Sequence, residues 1–392
     1  MNPTVTRPSL ALRLCLILLA CSALLTFGAT ARAATPPLAI GVNINQAPDQ
    51  AAQLSSYVSL TGRAPAIVMW YQQWSEPLFW SSQLPHVQAI GAIPMITWDP
   101  IYQGNGIPLS QIVAGSYDTY LKAQADAAKA WKGPIFVRLG HEMNLAGSPF
   151  GPVRNGNTPA EFVAAWRHVV SIFRQEGATN VEWVFSPNVD CAGKCPFTAF
   201  YPGDSWVDWV GLDGYNYSSV DGLPWMTFAQ LFGPSYQTLA AMTSKPMMIG
   251  ETGSTELGGS KATWINQTFA SLPQSYPRIR AVVWFDRLKE TDWRVNSSSA
   301  ALAAWNQIVR SAAYAGTASS LLTVTPLAKD VDSQFAAPVS TLPRHTVLQA
   351  TASMTLRSAS STHRTTKKRA RLARRHRRHH ARSHHRHRHH RT

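Results

Sequence analysis

Eight short apolar runs, spaced by stretches that read as helices, set the strongest limit on what this chain can fold into. They cover residues 38–43, 66–70, 93–98, 134–139, 181–185, 207–212, 246–249 and 279–284. Nearly continuous apolar strands are what a parallel sheet buried on both faces produces. Helical patterns fill most gaps, over 116–132, 159–176 and 297–313. The second is the clearest. Thr158 stands at the N-cap and Pro159 at the first helical position. Phe162, Val163, Trp166, Val169, Val170 and Phe173 form one stripe, and Gly177 is the stop signal. Eight strands alternating with helices predict a single (β/α)8 barrel, of the TIM-barrel class. A doubly wound open sheet is the alternative. No G-x-G-x-x-G or G-x-x-x-x-G-K-[ST] follows any strand, so nothing points to a nucleotide fold.

The two ends read differently from this middle. Arg7 and Arg13 precede an apolar stretch, small residues follow, and Ala31-Arg32-Ala33 is an A-x-A pattern. Residues 1–33 therefore read as a secretory signal peptide, and the chain is expected to be secreted. Leu18-Leu19-Ala20-Cys21 resembles a lipobox, so anchoring at Cys21 is a second reading. At the other end, residues 364–392 hold 13 Lys or Arg and no acid, and the last acid is Asp332. The formal charge of +15 belongs to this tail, because residues 34–325 carry 17 basic and 19 acidic residues. Such a run repels itself, so 363–392 is expected to be disordered. Residues 316–362, rich in Ala, Ser, Thr and Pro, read as a linker. That leaves 34–315 as the barrel domain.

Of the four cysteines, Cys191 and Cys195 remain after signal removal. Export permits a disulfide, and the short spacer suits a loop staple; a free thiol pair is the alternative. No metal site is expected, because the middle of the chain is poor in His and Cys.

In such a barrel the active site lies at the carboxyl ends of the strands. Polar residues cluster just past the apolar runs. Gly140-His141-Glu142-Met143-Asn144 follows the fourth, Ser186-Pro187-Asn188 the fifth, Asp213-Gly214-Tyr215-Asn216 the sixth and Gly250-Glu251-Thr252-Gly253 the seventh. Glu142 and Glu251 would face each other across the mouth. Glycoside cleavage needs such a pair, one carboxylic acid for the leaving oxygen and one carboxylate for the anomeric carbon. Arg138 would keep Glu251 ionised. Trp70, Trp98, Tyr215 and Trp284 lie at or near strand ends, where aromatic faces can meet sugar rings. Asn43, Asn144, Asn188 and Asp213 could serve the hydroxyls.

These residues resemble glycoside hydrolase family 26, over about 38–312. Arg138-Leu-Gly-His141-Glu142-Met143-Asn144 and Gly250-Glu251-Thr252-Gly253 carry the likeness most specifically, supported by 157–168, 183–188 and 208–216. The resemblance implies a (β/α)8 fold, a retaining mechanism without cofactor, Glu142 as acid/base and Glu251 as nucleophile. It implies that Arg138 and His141 orient the pair, that Asp213 and Tyr215 stand near the nucleophile, and that Trp284 is the platform under the sugar. Family members commonly continue the His-Glu-Met-Asn motif with Gly and Trp. Here Gly147 stands where an aromatic is expected.

The expected activity is that of a monomeric endo-1,4-β-mannanase acting on a β-linked polysaccharide. A β-1,3-1,4-glucanase of the same mechanism is the near alternative, and a non-catalytic carbohydrate-binding relative a more distant one. The basic tail suggests retention on an anionic cell-surface polymer. Nucleic acid is not an expected partner of an exported chain.

Overall fold

The computed structural model describes residues 36–78, 82–151, 156–220 and 222–323. The signal peptide, Cys21, most of the linker and the basic tail lie outside the described residues.

Side chains alternate along each apolar run, and that alternation builds two separate cores. The strands are β1 (Ala39–Ile44), β2 (Ile67–Gln73), β3 (Ile93–Asp99), β4 (Ile135–Leu139), β5 (Val181–Phe185), β6 (Trp209–Asn216), β7 (Met247–Ser254) and β8 (Ile279–Asp286). All pair in parallel and in sequence order, and β8 returns to β1, so the sheet closes as predicted. One set of residues points inward and fills the barrel: Met69, Met95, Phe136, Val184, Trp209, Met248 and Val283. The other set, including Trp98, Leu139, Leu212 and Trp284, faces the helices and forms the larger core.

The helix predicted from 159 runs Pro159–Gln175. Thr158 and Glu161 form a reciprocal capping box, and Phe162, Trp166, Val169, Val170 and Phe173 are buried. The helix predicted over 116–132 spans Asp118–Trp131, and that over 297–313 spans Ser299–Val309. Label the eleven-residue helix Ala51–Thr61 α1 and the fifteen-residue helix Lys261–Ser275 α2. Between β5 and β6 there is no α-helix. Three short 3-10 turns, Cys191–Gly193, Thr198–Phe200 and Asp204–Trp206, make that connection.

The domain boundary also moves. The linker was expected from 316, but Gly316 bridges to Ala39 and the short helix Ala318–Leu322 follows. Thr317 caps that helix, and Leu321 is buried within the inner core beside the strand starts. Burying one such leucine is worth roughly 1.5–3 kcal/mol. Composition misread this stretch because a single apolar residue anchors it.

Candidate active site

Above the inner apolar layer, the inward positions turn polar. Thr97, Arg138, Ser186, Asp213 and Glu251 are all buried at one level. Arg138 organises them. Its Nη1 donates to Glu251 Oε1 at 2.7 Å and to Thr97 Oγ1 at 3.0 Å, and its Nη2 pairs with Asp213. Ser186 Oγ donates to the other Asp213 oxygen at 3.0 Å.

Glu251 reaches this level through a bulge. On β6 Leu212 pairs with Ile249 and Asp213 with Glu251, so Gly250 is an extra residue. The β8 pairing skips by the same residue between Ile249 and Thr252. Gly250 and Glu251 therefore both face inward, which a regular strand forbids. A Cβ on Gly250 would stand 2.5 Å from Asp213 Oδ1 and 2.6 Å from Ser186 Oγ, so only glycine fits.

Tyr215 completes the seat, its hydroxyl donating to Glu251 Oε2 at 2.5 Å. Burial and then the Glu251 charge push the Tyr215 and Tyr71 phenols upward, so both stay O–H donors facing that carboxylate. Burial alone would raise Glu251, but Arg138, His141 and the Tyr215 hydrogen bond together bring it below its ordinary value.

Glu142 sits otherwise. The chain past β4 turns through left-handed backbone at Gly140 and at Glu142 itself, with φ of 54° and 52°. For a non-glycine residue this costs on the order of 1–3 kcal/mol, a strain typical of functional positions. Glu142 is half-buried, and Asn188 Nδ2 donates to its Oε1 at 2.8 Å. Burial and the charge of Glu251 raise its pKa against the pull of His141 and Asn188. His141 is held by Asp99 at 3.0 Å and packs against Tyr71 with the ring centroids 5.5 Å apart and the planes tilted by 55°. Burial would lower its pKa, yet Asp99 and Glu251 raise it to about 9, so it is an imidazolium at neutral pH.

Seven of the predicted residues thus meet at the mouth: Arg138, His141, Glu142, Asn188, Asp213, Tyr215 and Glu251. Five do not act as expected. Trp70 is buried in the helix-side core, and Asn43 is buried and donates to Met69 O at 2.7 Å. Trp98 is fully buried on the helix side against Trp74 and Phe173. Trp284 is equally buried against Trp264 and Trp305, its Nε1 donating to Trp293 O at 2.8 Å. Both are outward residues of their strands, so the inward neighbours Asp99 and Phe285 stand at the mouth instead. Asn144 binds backbone rather than open space. It donates to Asn188 O and Cys195 O and accepts from Asn188 N. Cys191 and Cys195 are free thiols, not a disulfide. The Cys191 thiol is turned toward Val189 O at 3.4 Å.

Sequence reasoning missed Tyr71 and Thr97 as mouth residues and gave no role to Ser186 and Phe285. Counting alternation back from Arg138 and its neighbours would have found them. A cavity of about 580 Å³ lies elsewhere, behind the tops of β1 and β8 and against α1, lined by Tyr57, Asp286 and Arg294. Among the described residues no cluster of His, Cys, Asp and Glu could hold a metal ion.

Residues 113–264 match the sequence model of Glycosyl hydrolase family 26. Endoglucanase H of Acetivibrio thermocellus is 39% identical over 280 residues, 69% of this chain and 30% of that protein. A mannan endo-1,4-beta-mannosidase of Bacillus subtilis is 28% identical over 179 residues, 43% of each. The chain thus spans less than half the length of these relatives. In fold, the barrel resembles the catalytic domain of a Bacillus sp. JAMB-750 GH26 endo-beta-1,4-mannanase. The TM-score is 0.56 at 16% identity, covering 73% of this chain and 89% of that one. It also resembles a modular endo-beta-1,4-mannanase from Cellulomonas fimi, with a TM-score of 0.55 at 18% identity and 72% coverage of both.

Proposed function

Because the barrel of this chain belongs to glycosyl hydrolase family 26, we propose that the protein is a retaining endo-β-glycanase. The observation that carries this reading is the opposite tuning of two facing glutamates. Glu251, seated on Arg138 and Tyr215, is held ionised for attack. Glu142, half-buried with one neutral donor, keeps its proton to higher pH. A pair of titratable groups pushed apart in this way assigns base and acid.

In the first step Glu142 gives its proton to the glycosidic oxygen while Glu251 attacks the anomeric carbon. The bond to the leaving sugar breaks and an ester to Glu251 forms. The Glu142 carboxylate then takes a proton from water, whose oxygen displaces Glu251 and frees the product. Asn188 orients Glu142 throughout, and the imidazolium of His141 stabilises the carboxylate that Glu142 becomes.

For the polymer, two readings stand. A mixed-linkage β-glucan is favoured by the higher identity to a relative named as an endoglucanase. It also accords with Gly147, around which no atom lies within 4 Å of a would-be Cβ. A β-1,4-mannan, the first expectation, is supported by the more distant relatives named as mannanases. The two differ in an equatorial or axial 2-hydroxyl at the cleaved sugar. Reducing-end release from lichenan, mannan, galactomannan and β-1,3-xylan tests both. Release from lichenan above mannan supports the glucan reading, and the reverse order supports the mannan one. No release from any of them, or release that survives in Glu251→Ala, rejects the mechanism.

Export by residues 1–33 and retention on anionic wall polymer by residues 364–392 are also proposed, on the charge and apolar pattern alone. Removing 364–392 should weaken wall binding most at low salt.

A further inference from the structure

Lys261 is the first residue of α2 and is fully buried. Two effects oppose a cation there. Burial draws its pKa down to about 8, against the upward pull of Glu256, Asp292 and Asp286 and with the help of Arg294. The N-terminus of a helix is also the wrong end for positive charge. Its hydrogen bonds show what the charge is used for. Nζ donates to Asp292 O at 2.6 Å, to Arg294 O at 3.0 Å and to Ser297 Oγ at 2.7 Å. An ammonium has three donors, and all three are engaged. Ser297 and Ser298 in turn each donate to Glu256 Oε1 at 2.8 Å.

The two carbonyls belong to the residues on either side of Trp293. That indole is buried, with its centroid 5.1 Å from Tyr215 and 5.0 Å from Tyr217. A Cβ on Gly253 would lie 3.1 Å from the ring, so it fits tightly against the end of β7. Tyr215 is the residue whose hydroxyl meets Glu251 Oε2.

We propose that Lys261 is a positioning residue for Glu251: it clamps the backbone on both sides of Trp293, and the indole fixes the Tyr215 hydroxyl against the carboxylate. This rests on the reading of Glu251 as nucleophile. Lys261 itself touches none of the mouth residues described above. A neutral amine or an apolar side chain would leave at least one of the three acceptors without its donor.

The test combines amide exchange with a double-mutant cycle on whole protein, using Lys261→Met, Tyr215→Phe and the two together. In Lys261→Met, exchange across residues 287–298 should speed up about tenfold while β4 and β5 stay protected. On the polysaccharide of the panel that the wild type cleaves best, kcat should fall about tenfold with KM little changed. The pair should be within about twofold of Tyr215→Phe alone, because both changes act through one hydroxyl. Lys261→Arg should recover part of the loss by restoring charge. Unchanged exchange over 287–298, or losses that multiply in full, overturns the proposal. Should Lys261→Met not fold, Ser297→Ala removes one acceptor and is expected to give the same changes on a smaller scale. Unchanged exchange in that variant overturns the clamp equally. A wild type that cleaves nothing refutes the glycanase reading instead, and the exchange arm still decides whether Lys261 holds the loop.

Discussion

Glu142 and Glu251 are the same residue in one barrel mouth, yet their surroundings share almost nothing. Glu251 rises from a bulged strand and is buried. A guanidinium and a phenol bind its two oxygens. Glu142 sits on strained left-handed backbone, is half-buried and takes one carboxamide hydrogen bond. The first setting stabilises a carboxylate and the second an acid. Residue type supplies the carboxyl; the neighbours decide which half of the chemistry it performs.

The sharpest way to break this contrast is to remove each carboxyl. Glu251→Ala should lower kcat by roughly 10⁴-fold or more on every substrate. Glu142→Ala should lose on the order of 10²–10⁴-fold on polysaccharide but little glycosylation rate on an aryl glycoside whose leaving group needs no proton. Single-turnover release of the phenol reads this, and equal losses on both substrates would void the assignment.

Arg138→Met strips the Glu251 side of its cation and strands Asp213. Breaking a buried pair from one side costs about 3–5 kcal/mol. Because the Glu251 pKa is depressed in the fold, its share of that stability is present above the unfolded carboxylate pKa. It is lost as pH falls through the lower folded value. Urea denaturation should therefore show wild type and variant converging at acid pH.

Tyr215→Phe is a smaller step. Its hydrogen bond lowers the Glu251 pKa, so the acidic limb of kcat/KM should move up in pH and kcat should fall about tenfold. His141→Asn sharpens the comparison most gently. The imidazolium lowers both glutamates, so both limbs should move to higher pH with little narrowing. Movement of one limb alone would mean that His141 serves only one of the pair.

Much of this was legible before the structure, for physical reasons that differ by residue. Apolar runs report strands because both faces are buried, so all eight strands were found, and the mouth followed from where the runs end. Glu142, Glu251, Arg138 and Tyr215 were legible in that way. Trp98 and Trp284 were misplaced because aromaticity does not say which side of a strand a residue takes. Alternation does, and it sends both into the helix layer. The helix missing after β5 was hidden because turns and a helix can span the same gap. Leu321 was hidden because one anchoring leucine leaves no periodicity.

The bulge at Gly250 has a further consequence. The seat of Glu251 is set by the number of residues in β7 as much as by their identity. Loss of the single codon for Gly250 would restore a regular register and move the glutamate into the glycine's own position, where its Cβ would collide with Asp213 Oδ1 and Ser186 Oγ. The Glu-Thr-Gly triplet would remain spelled out, and a comparison of letters would still count it as intact. Catalysis in this barrel is therefore more vulnerable to a one-residue deletion than to many substitutions, and a lineage could lose it in one frame-preserving event while keeping its fold.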